Sequence, residues 1–374
     1  MNEKISAFLS ERIAAHDFPS AVYLVAEKGE IVYHDALGNA VVTPEVIPAN
    51  LDTIYDLASL TKVLVTALLV AQRIDERDLT VDAKISHFLS EFKAADKAEI
   101  TILQLANHTS AFRDWIPLYL KSDNLLHVTE TVAAEPAATP RGESVIYSDL
   151  NFIALANVIE TLSRFRVDIS FSDVTDELQL SRTDFTPLSN APRPWTRDKI
   201  AASEFGNEYE RQTCIEKFPE LRIPQSAFRT RQIWGEVHDG NAYFMGGAAG
   251  HAGLFSTAEE VFKIALQFLP QYTTLLKPET CELFRTNFTK GLNEDRSFAF
   301  QLASTEGSTA GTSMSPESFG HNGFTGTSLW IDPVKDRIFI LLTNRTHNHP
   351  LPFTNINSVR RRFHDLAIEE LEKR

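Results

Sequence analysis

The sequence predicts an α+β fold: an antiparallel sheet built from both chain ends, flanked by helices, with a mostly helical inserted region. Two apolar stretches near the start, residues 21–26 and 31–38, flank a short polar turn, which is typical of a β-hairpin. Strand-like stretches return near the end, at residues 320–333 and 337–344, about a Pro-Val-Lys-Asp turn. From residue 60 to about 230 the pattern is helical and rich in loops. Strands at both ends around a helical middle therefore favour one shared sheet.

The remaining elements follow in chain order. We expect an amphipathic helix at residues 3–16, a helix after Ser59 at residues 60–73, a short helix at residues 81–89, an apolar helix at residues 150–161 and a closing helix at residues 356–373. Residues 39–55 should form a connecting loop. Residues 186–236 should form an irregular segment, because they contain five prolines: Pro187, Pro192, Pro194, Pro219 and Pro224. We assign residues 1–58 and 240–374 to the sheet region and residues 59–239 to the helical region of one two-lobed unit.

Composition and charge restrict the partners. The 374 residues carry a formal net charge of −14, which argues against a nucleic-acid partner, because phosphates bind to basic surfaces. Cys214 and Cys281 have no metal-ligand spacing, and we expect two buried free thiols. No stretch approaches the ~20 apolar residues that span a bilayer, and the first residues lack the pattern of a secretory signal. We expect a cytoplasmic protein, or a periplasmic or secreted one if a signal has been removed, and the oligomeric state is open.

Ser59 and Lys62 form the first candidate catalytic pair. They are three residues apart at the start of an apolar helix, so they share one face about one turn apart. A serine hydroxyl becomes a good nucleophile when a neighbouring group takes its proton. Lys62 can do so if burial and nearby positive charge push its pKa down towards neutrality. Because Ser-x-x-Lys also occurs by chance, this interpretation needs other residues to join the pair.

Two later stretches supply those residues. Tyr147 lies in a turn before a helix, and a tyrosine held near a lysine can pass protons to a leaving group. His321 and Gly323 begin a C-terminal strand. His321 has the chemistry to donate a hydrogen bond to a substrate or to Tyr147. Gly323 permits a substrate carbonyl to approach main-chain N–H groups closely.

Taken in order, these stretches resemble the serine β-lactamase and penicillin-binding-protein-like superfamily, in particular its class C-like branch. That family is characterised by S-x-x-K, then Y-x-N, then K-T-G or H-x-G. Here the three elements read Ser59-Leu60-Thr61-Lys62, Tyr147-Ser148-Asp149 and His321-Asn322-Gly323. The flanking sequence is also similar at residues 109–110, 235–242, 250–257 and 320–327, so the resemblance covers nearly the whole chain.

The resemblance implies a serine hydrolase that forms an acyl-enzyme on an ester or amide substrate, small or peptide-like, without a cofactor. It implies that Ser59 is the acylated nucleophile, Lys62 its proton acceptor and Tyr147 the proton shuttle, with His321 at the third-motif position. It also implies that the backbone N–H groups of Ser59 and Phe324 form the oxyanion hole.

Two departures from the family pattern bear on the substrate. Asp149 replaces an amide by a carboxylate, which raises the pKa of Lys62 unless it faces away, so we expect it to orient Lys62 or a cationic substrate group. His321 replaces a lysine, and a neutral imidazole holds a substrate carboxylate less firmly than a permanent cation does. This weakens the case for a true β-lactamase and for a carboxypeptidase acting on D-Ala-D-Ala, and the H-x-G form resembles that of esterase, amidase and aminopeptidase members of the family. A cell-wall amidase, a D-amino-acid peptidase or carboxypeptidase, and a non-catalytic penicillin-binding-like protein stay open.

Three further features are less specific. The glycine-rich residues 246–253 lack the Lys-Ser/Thr of a phosphate loop and predict a tight loop beside the site. Asp239 and Asn241 are candidates for lining the cleft and binding substrate, with a structural loop network as the alternative. His347 and His349 lack a third ligand, so we predict a solvated loop and no metal site there.

Overall fold

Two antiparallel sheets organise the fold, which a computed structural model describes for residues 1–93, 96–185, 188 and 195–374. The larger sheet contains β1 Ser20–Glu27, β2 Glu30–Val41, β3 Ile47–Pro48, β7 Gln301–Leu302, β8 Phe319–Asn322, β9 Ser328–Asp332 and β10 Arg337–Thr343. The smaller sheet contains β4 Tyr55–Asp56, β5 Asp184–Phe185 and β6 Leu254–Ser256. The strand orders are β3-β2-β1-β10-β9-β8-β7 and β4-β6-β5.

Both chain ends contribute central strands to the larger sheet, as predicted. β1 pairs with β10 from Ala21 opposite Thr343 to Glu27 opposite Arg337. On its other edge β1 pairs with β2 through the predicted hairpin. Gly29 in the hairpin turn has a φ of +75°, a conformation that glycine adopts without strain. The predicted α+β architecture is therefore confirmed.

The C-terminal strands differ from the prediction in one respect. Residues 320–333 form two strands rather than one, because β8 and β9 are separated by residues 323–327 and pair with each other. The N–H of Gly323 donates to the carbonyl of Thr327, which closes this turn. β9 pairs with β10 across the predicted Pro-Val-Lys-Asp turn. Strand propensity alone did not reveal the reversal within this stretch.

The helices cover both faces of the larger sheet and form most of the middle of the chain. They are α1 Glu3–Ala14, α2 Leu68–Asp75, α3 Ile102–Ala106, α4 Leu118–Lys121, α5 Val128–Ala134, α6 Asp149–Ser163, α7 Val167–Glu177, α8 Glu208–Lys217, α9 Gly240–Phe244, α10 Ala258–Ala265 and α11 Asn357–Leu371. A π-helix, Lys62–Ala67, leads directly into α2. Short 3-10 turns lie at Ile85–His87, Ser90–Lys93, Leu125–His127, Arg197–Lys199, Gln225–Ala227, Leu266–Phe268 and Thr280–Phe284.

Three local predictions were wrong. Residues 81–89 contain only the turn Ile85–His87, since a short apolar run has too few residues to distinguish a helix from a buried loop. The segment 186–236 includes the regular helix α8. Residues 39–55 contain strand residues of β2, β3 and β4 rather than a loop alone. Three of the five prolines in segment 186–236 lie outside the described residues: Pro187, Pro192 and Pro194.

Alternating residues of β1 contribute to two different cores. Strand side chains have a period of two, so neighbours point to opposite faces of the sheet. Tyr23 and Val25 pack in one core with α1 and α11, and the Tyr23 ring lies 5.9 Å from that of Phe363. Leu24 and Ala26 belong to the larger core, which α10 and the helical region complete.

Two expectations from composition can be compared with this architecture. Cys214 and Cys281 are both buried free thiols, as predicted. Among the described residues, no helix combines the length and the apolar character that crossing a membrane requires.

Candidate active site

Ser59 stands in a strained turn that follows β4. Ala58, immediately before it, has a φ of +48°, in the left-handed region that residues with a side chain rarely adopt. The carboxylate of Asp56 holds this turn, because Oδ1 accepts from the N–H of Ala58 at 2.8 Å and Oδ2 accepts from the N–H of His238 at 2.7 Å. Burial raises the pKa of Asp56, and the two N–H bonds oppose that effect.

The helix after Ser59 is packed against the glycine-rich loop, as predicted. It begins as the π-helix Lys62–Ala67, a geometry found frequently at functional sites. Thr66 Oγ1 donates to the carbonyl of Gly250 at 2.6 Å. A Cβ on Gly250 would lie 2.2 Å from the carbonyl oxygen of Phe152 in α6, so only glycine lets the loop pass here.

Lys62 is completely buried and contacts three parts of the site. Its Nζ donates to Ser59 Oγ at 3.0 Å and to the carbonyl of His251 at 3.2 Å. It forms an ion pair of 2.7 Å with Oδ1 of Asp149. It also lies 4.9 Å from the centroid of the Tyr147 ring. The helical spacing thus brings serine and lysine together, and α6 adds the carboxylate.

A lowered pKa, the condition under which Lys62 could take the proton of Ser59, is not met. Burial by itself lowers the pKa, but Asp149 and then Tyr147 outweigh burial and raise it. The reason is that Asp149 faces the ammonium instead of pointing away from it. A charged Lys62 has no lone pair to offer, so the hydroxyl proton of Ser59 has to leave through a neighbouring group.

Two neutral histidines flank Tyr147. The ring centroids of His108 and His321 lie 4.7 Å and 5.6 Å from that of Tyr147. Burial, together with the nearby cations Lys62 and Arg296, lowers the pKa of each imidazole well below 6.5. Neither histidine therefore adds positive charge at neutral pH.

His321 does not donate to Tyr147, contrary to one of its predicted roles. Its Nδ1 lies 2.9 Å from the carbonyl of Asn322, and because a carbonyl only accepts, Nδ1 carries the proton. The buried Nε2 has no hydrogen-bond partner among the described residues. This nitrogen keeps its lone pair, so His321 can accept a hydrogen bond rather than donate one.

Gly323 and Phe324 bring the turn after β8 next to Ser59. A Cβ on Gly323 would lie 2.5 Å from the carbonyl oxygen of Leu57, so a side chain would push the two segments apart. The Phe324 ring is surrounded by Tyr209, His238, Arg345 and Phe353. In the described part of the chain, the N–H groups of Ser59 and Phe324 donate to no protein acceptor. Free, fixed N–H groups are what an oxyanion hole requires.

Asp239 lines the cleft, whereas Asn241 does not. Asp239 Oδ1 accepts from Nε2 of His251 at 3.0 Å. Burial opposes ionisation of Asp239, but His251 outweighs it and lowers the pKa of the carboxyl. Asn241 is completely buried, and its side chain bonds the backbone of Ile116 and Leu118. The prediction that Asn241 contacts substrate is therefore wrong, and the structural alternative holds.

Asp149, Asp239 and His251 present ligand atoms within 4.8 Å of one another, a spacing compatible with a metal ion. The ammonium of Lys62 lies 2.7 Å from Asp149, so the protein itself supplies a cation at this point.

His347 is a buried structural residue, not part of a solvated loop as predicted. Its Nε2 accepts from the N–H of Val42 at 2.9 Å, and its Nδ1 donates to the carbonyl of Ser203 at 2.9 Å. Both ring nitrogens are thus engaged with backbone groups.

A cleft of about 480 Å³ joins these groups. The predicted residues that line it are Ser59, Tyr147, Asp149, Asp239, His321, Gly323 and Phe324. The charged lining residues that the sequence did not reveal include Glu210, Arg296, Arg345 and Arg360. They come from separate segments and belong to no local motif, so no spacing in the sequence pointed to them.

Glu210 is the most unusual of the missed residues. It is buried, and its carboxylate accepts from the N–H of Gly240 at 2.7 Å and from the Tyr119 hydroxyl at 3.0 Å. Burial, with Asp239 nearby, raises the pKa of Glu210 to about 7.

Comparison with known proteins decides the family. Residues 5–360 match the profile of the β-lactamase family. The chain belongs to this family. It is 29% identical over 357 residues to a protein of Escherichia coli K12 named "Putative D-alanyl-D-alanine carboxypeptidase", covering 88% of this chain and 79% of the relative. A protein of the same name from Salmonella agona is 28% identical over 376 residues, covering 92% of this chain and 83% of the relative. The predicted membership of the β-lactamase-like serine hydrolases is confirmed.

Several solved structures share the fold of this chain. The octameric penicillin-binding protein homologue from Pyrococcus abyssi has a TM-score of 0.72 at 16% identity, over 98% of this chain and 77% of its own. The hydrolase EstCE1, described as having promiscuous acyltransferase activity, has a TM-score of 0.72 at 18% identity, over 98% of both chains. A class C β-lactamase has a TM-score of 0.69 at 13% identity, over 100% of this chain and 97% of its own. At these identities the likeness concerns the fold.

Proposed function

We propose that this β-lactamase-family protein hydrolyses an ester or amide substrate through an acyl-enzyme on Ser59, without a cofactor. The observation that carries the proposal is the contact of 3.0 Å between Lys62 Nζ and Ser59 Oγ, with Tyr147 beside Lys62 in the same cleft. Catalytic serines are activated by such neighbours. The spacing of nucleophile, cation and phenol supports catalysis over passive binding.

The proposed reaction has two stages. Tyr147 first releases its phenol proton to solvent, and Ser59 Oγ then attacks the substrate carbonyl while its proton passes to the Tyr147 phenolate, with Lys62 staying protonated beside both. The N–H groups of Ser59 and Phe324 receive the charge that develops on the carbonyl oxygen. The tetrahedral intermediate then collapses, and the departing alcohol or amine takes the proton. Water attacks the acyl-enzyme by the same route and releases the acid.

A second candidate is a carboxypeptidase that acts on a peptide-like substrate with a free carboxylate. Arg345 and Arg360 line the cleft, and in the described part of the chain they bond backbone carbonyls and Asn357 rather than any carboxylate. Burial, with Arg345 nearby, lowers the pKa of Arg360 to about 9. Because no carboxylate of the described residues pairs with Arg345 or Arg360, these two cations favour an anionic substrate group. The names of the curated relatives agree with this candidate.

The decisive experiment measures intact-protein mass after brief exposure to an activated ester and, separately, to a β-lactam. We expect the wild-type protein to consume the ester, and Ser59→Ala to neither consume it nor gain mass. An adduct that persists on the wild type alone would indicate acylation with slow deacylation, as in a binding or sensor protein. No adduct and no ester consumption, or normal turnover by Ser59→Ala, would contradict the proposal.

Substrate choice separates the two candidates. A dipeptide ending in D-alanine and the same dipeptide with a C-terminal amide differ only in the carboxylate. A carboxypeptidase should prefer the free acid through KM, and Arg345→Gln should remove that preference. Equal turnover of the two peptides, with faster turnover of simple esters, would favour the esterase assignment.

A further inference from the structure

Arg296 places a second cation beside Tyr147. Its Cζ lies 5.4 Å from the centroid of the Tyr147 ring, and Lys62 Nζ lies 4.9 Å from the same centroid. Arg296 is only 5% exposed. Its Nη2 pairs with Oε1 of Glu294 at 2.8 Å, whereas Nε and Nη1 have no hydrogen-bond partner among the described residues. The guanidinium is therefore a buried cation whose charge is only partly satisfied.

Side-chain to backbone hydrogen bonds fix the loop that carries Arg296 beside the segment that carries Tyr147. Asn293, in the same loop as Arg296, accepts from the N–H of Val145 at 2.8 Å and donates to the carbonyl of Val145 at 3.1 Å. Val145 lies two residues before Tyr147. The N–H of Arg296 also donates to Thr289 Oγ1 at 2.7 Å. The Asn293 side chain thus ties the loop that carries Arg296 to the segment that carries Tyr147.

The other charged and titratable residues near the Tyr147 ring add no net positive charge, so a further cation can affect Tyr147. The charged and titratable residues near the Tyr147 ring are Lys62, His108, Asp149, Arg296 and His321. The two histidines are neutral, and Asp149 offsets the charge of Lys62. Tyr147 is half-buried in the cleft, and when it gives up its proton, a neighbouring cation stabilises the negative charge on its oxygen. Arg296 is the remaining positive charge in this set.

We propose that Arg296 is a positioning residue that stabilises negative charge on Tyr147 and so prepares it to take the proton of Ser59. The proposal rests on the proposed function, because it concerns the acylation step of the same site. Arg296 exchanges no proton itself. The proton moves from Ser59 Oγ to the Tyr147 oxygen, and then to the leaving group.

The test is the pH dependence of kcat/KM for the activated ester in Arg296→Gln, Arg296→Lys and Glu294→Gln. Removing the cation makes a negative Tyr147 harder to form, so in Arg296→Gln the acid limb should move up by roughly one pH unit with a smaller change in KM. Arg296→Lys should keep the limb close to its wild-type position. Glu294→Gln removes the negative charge that pairs with Arg296, so the acid limb of its kcat/KM profile should move to lower pH.

Opposite shifts distinguish this role from a structural one, because loss of packing moves both variants in the same direction or neither. Arg285→Gln, which breaks an exposed pair with Glu282 in the preceding segment, is the matched control and should leave the profile unchanged. A wild-type profile in Arg296→Gln, or shifts of the same sign in Arg296→Gln and Glu294→Gln, would overturn the proposal. If Arg296→Gln fails to fold, Glu294→Gln decides. An acid limb of its kcat/KM profile that stays in place or moves to higher pH overturns the proposal. An inactive wild type would instead overturn the proposed function.

Discussion

At the scale of single residues, the site depends on how charge is balanced around a buried lysine. Lys62 is fully buried, and Asp149 at 2.7 Å keeps it protonated against the cost of burial. The same carboxylate also opposes the loss of a proton from the Lys62–Tyr147 pair.

Asp149→Asn should move the acid limb of the kcat/KM profile to lower pH by roughly one to two units. The carboxylate raises the pKa of Lys62, and its removal lets the pair lose a proton more easily. The measurement is ester hydrolysis between pH 5 and 9, chosen as about two units on each side of neutrality. Asp114→Asn serves as the control, because Asp114 lines the cleft but pairs with the exposed Lys217. An unchanged profile in Asp149→Asn would place this carboxylate outside the catalytic network.

At the scale of elements, the short strand β4 connects three segments of the site. The carboxylate of Asp56 binds the turn before Ser59 and the loop before Asp239. The carbonyls of Asp56 and Leu57 accept from the hydroxyls of Thr325 and Thr327 at 2.7 Å and 3.0 Å. The last residue of β4 and the residue after it therefore align the nucleophile turn with the turn after β8.

Asp56→Asn should lower kcat by roughly tenfold with a smaller effect on KM, because small displacements of reacting groups are costly. An amide has one acceptor oxygen, so its NH₂ would face the N–H of Ala58 or of His238. The unpaired donors should also reduce the free energy of unfolding by about 1–3 kcal/mol. Ester kinetics and thermal unfolding measure the two effects, with the exposed Asp52→Asn as control. Wild-type kinetics in Asp56→Asn would show that the turn keeps its shape without this carboxylate.

At the scale of the whole molecule, burial of neutral histidines links stability to pH. His108 and His321 lie in the site, and His364 lies in the core between the sheet and α11. Burial lowers the pKa of His364 to about 3, even though its Nδ1 donates to the carbonyl of Thr309. In the unfolded chain these imidazoles take up protons near pH 6.5, whereas the folded protein does not until the pH is far lower.

The free energy of unfolding should therefore fall as the pH decreases from about 6.5, by about 1.4 kcal/mol per pH unit for each such histidine. His364→Asn keeps a donor for Thr309 and removes the titrating group, so its slope should be smaller by about one proton. Denaturant unfolding at several pH values measures both slopes. The exposed His16→Asn is the control. Equal slopes in wild type and His364→Asn would mean that His364 is protonated in the folded state.

The sequence by itself determined the features that depend on local periodicity. Alternating apolar residues at the two ends predicted the shared sheet, and the helical spacing of Ser59 and Lys62 predicted their contact. The order of three motifs predicted the family and the cleft position of Tyr147, His321 and Phe324. The cytoplasmic location and the division into residues 1–58 with 240–374 and 59–239 stay predictions.

Only the tertiary structure decided the charge state and the complete membership of the site. The pKa of Lys62 depends on where the Asp149 carboxylate points, and a sequence motif does not specify that direction. Arg296 reaches Tyr147 because Asn293 pairs with the backbone of Val145, a contact between segments far apart in the chain. Asn241 shows the converse, since a residue close to Asp239 in sequence is turned into the core. Burial and electrostatics sum over all neighbours in space, and for that reason they become known only when the chain is folded.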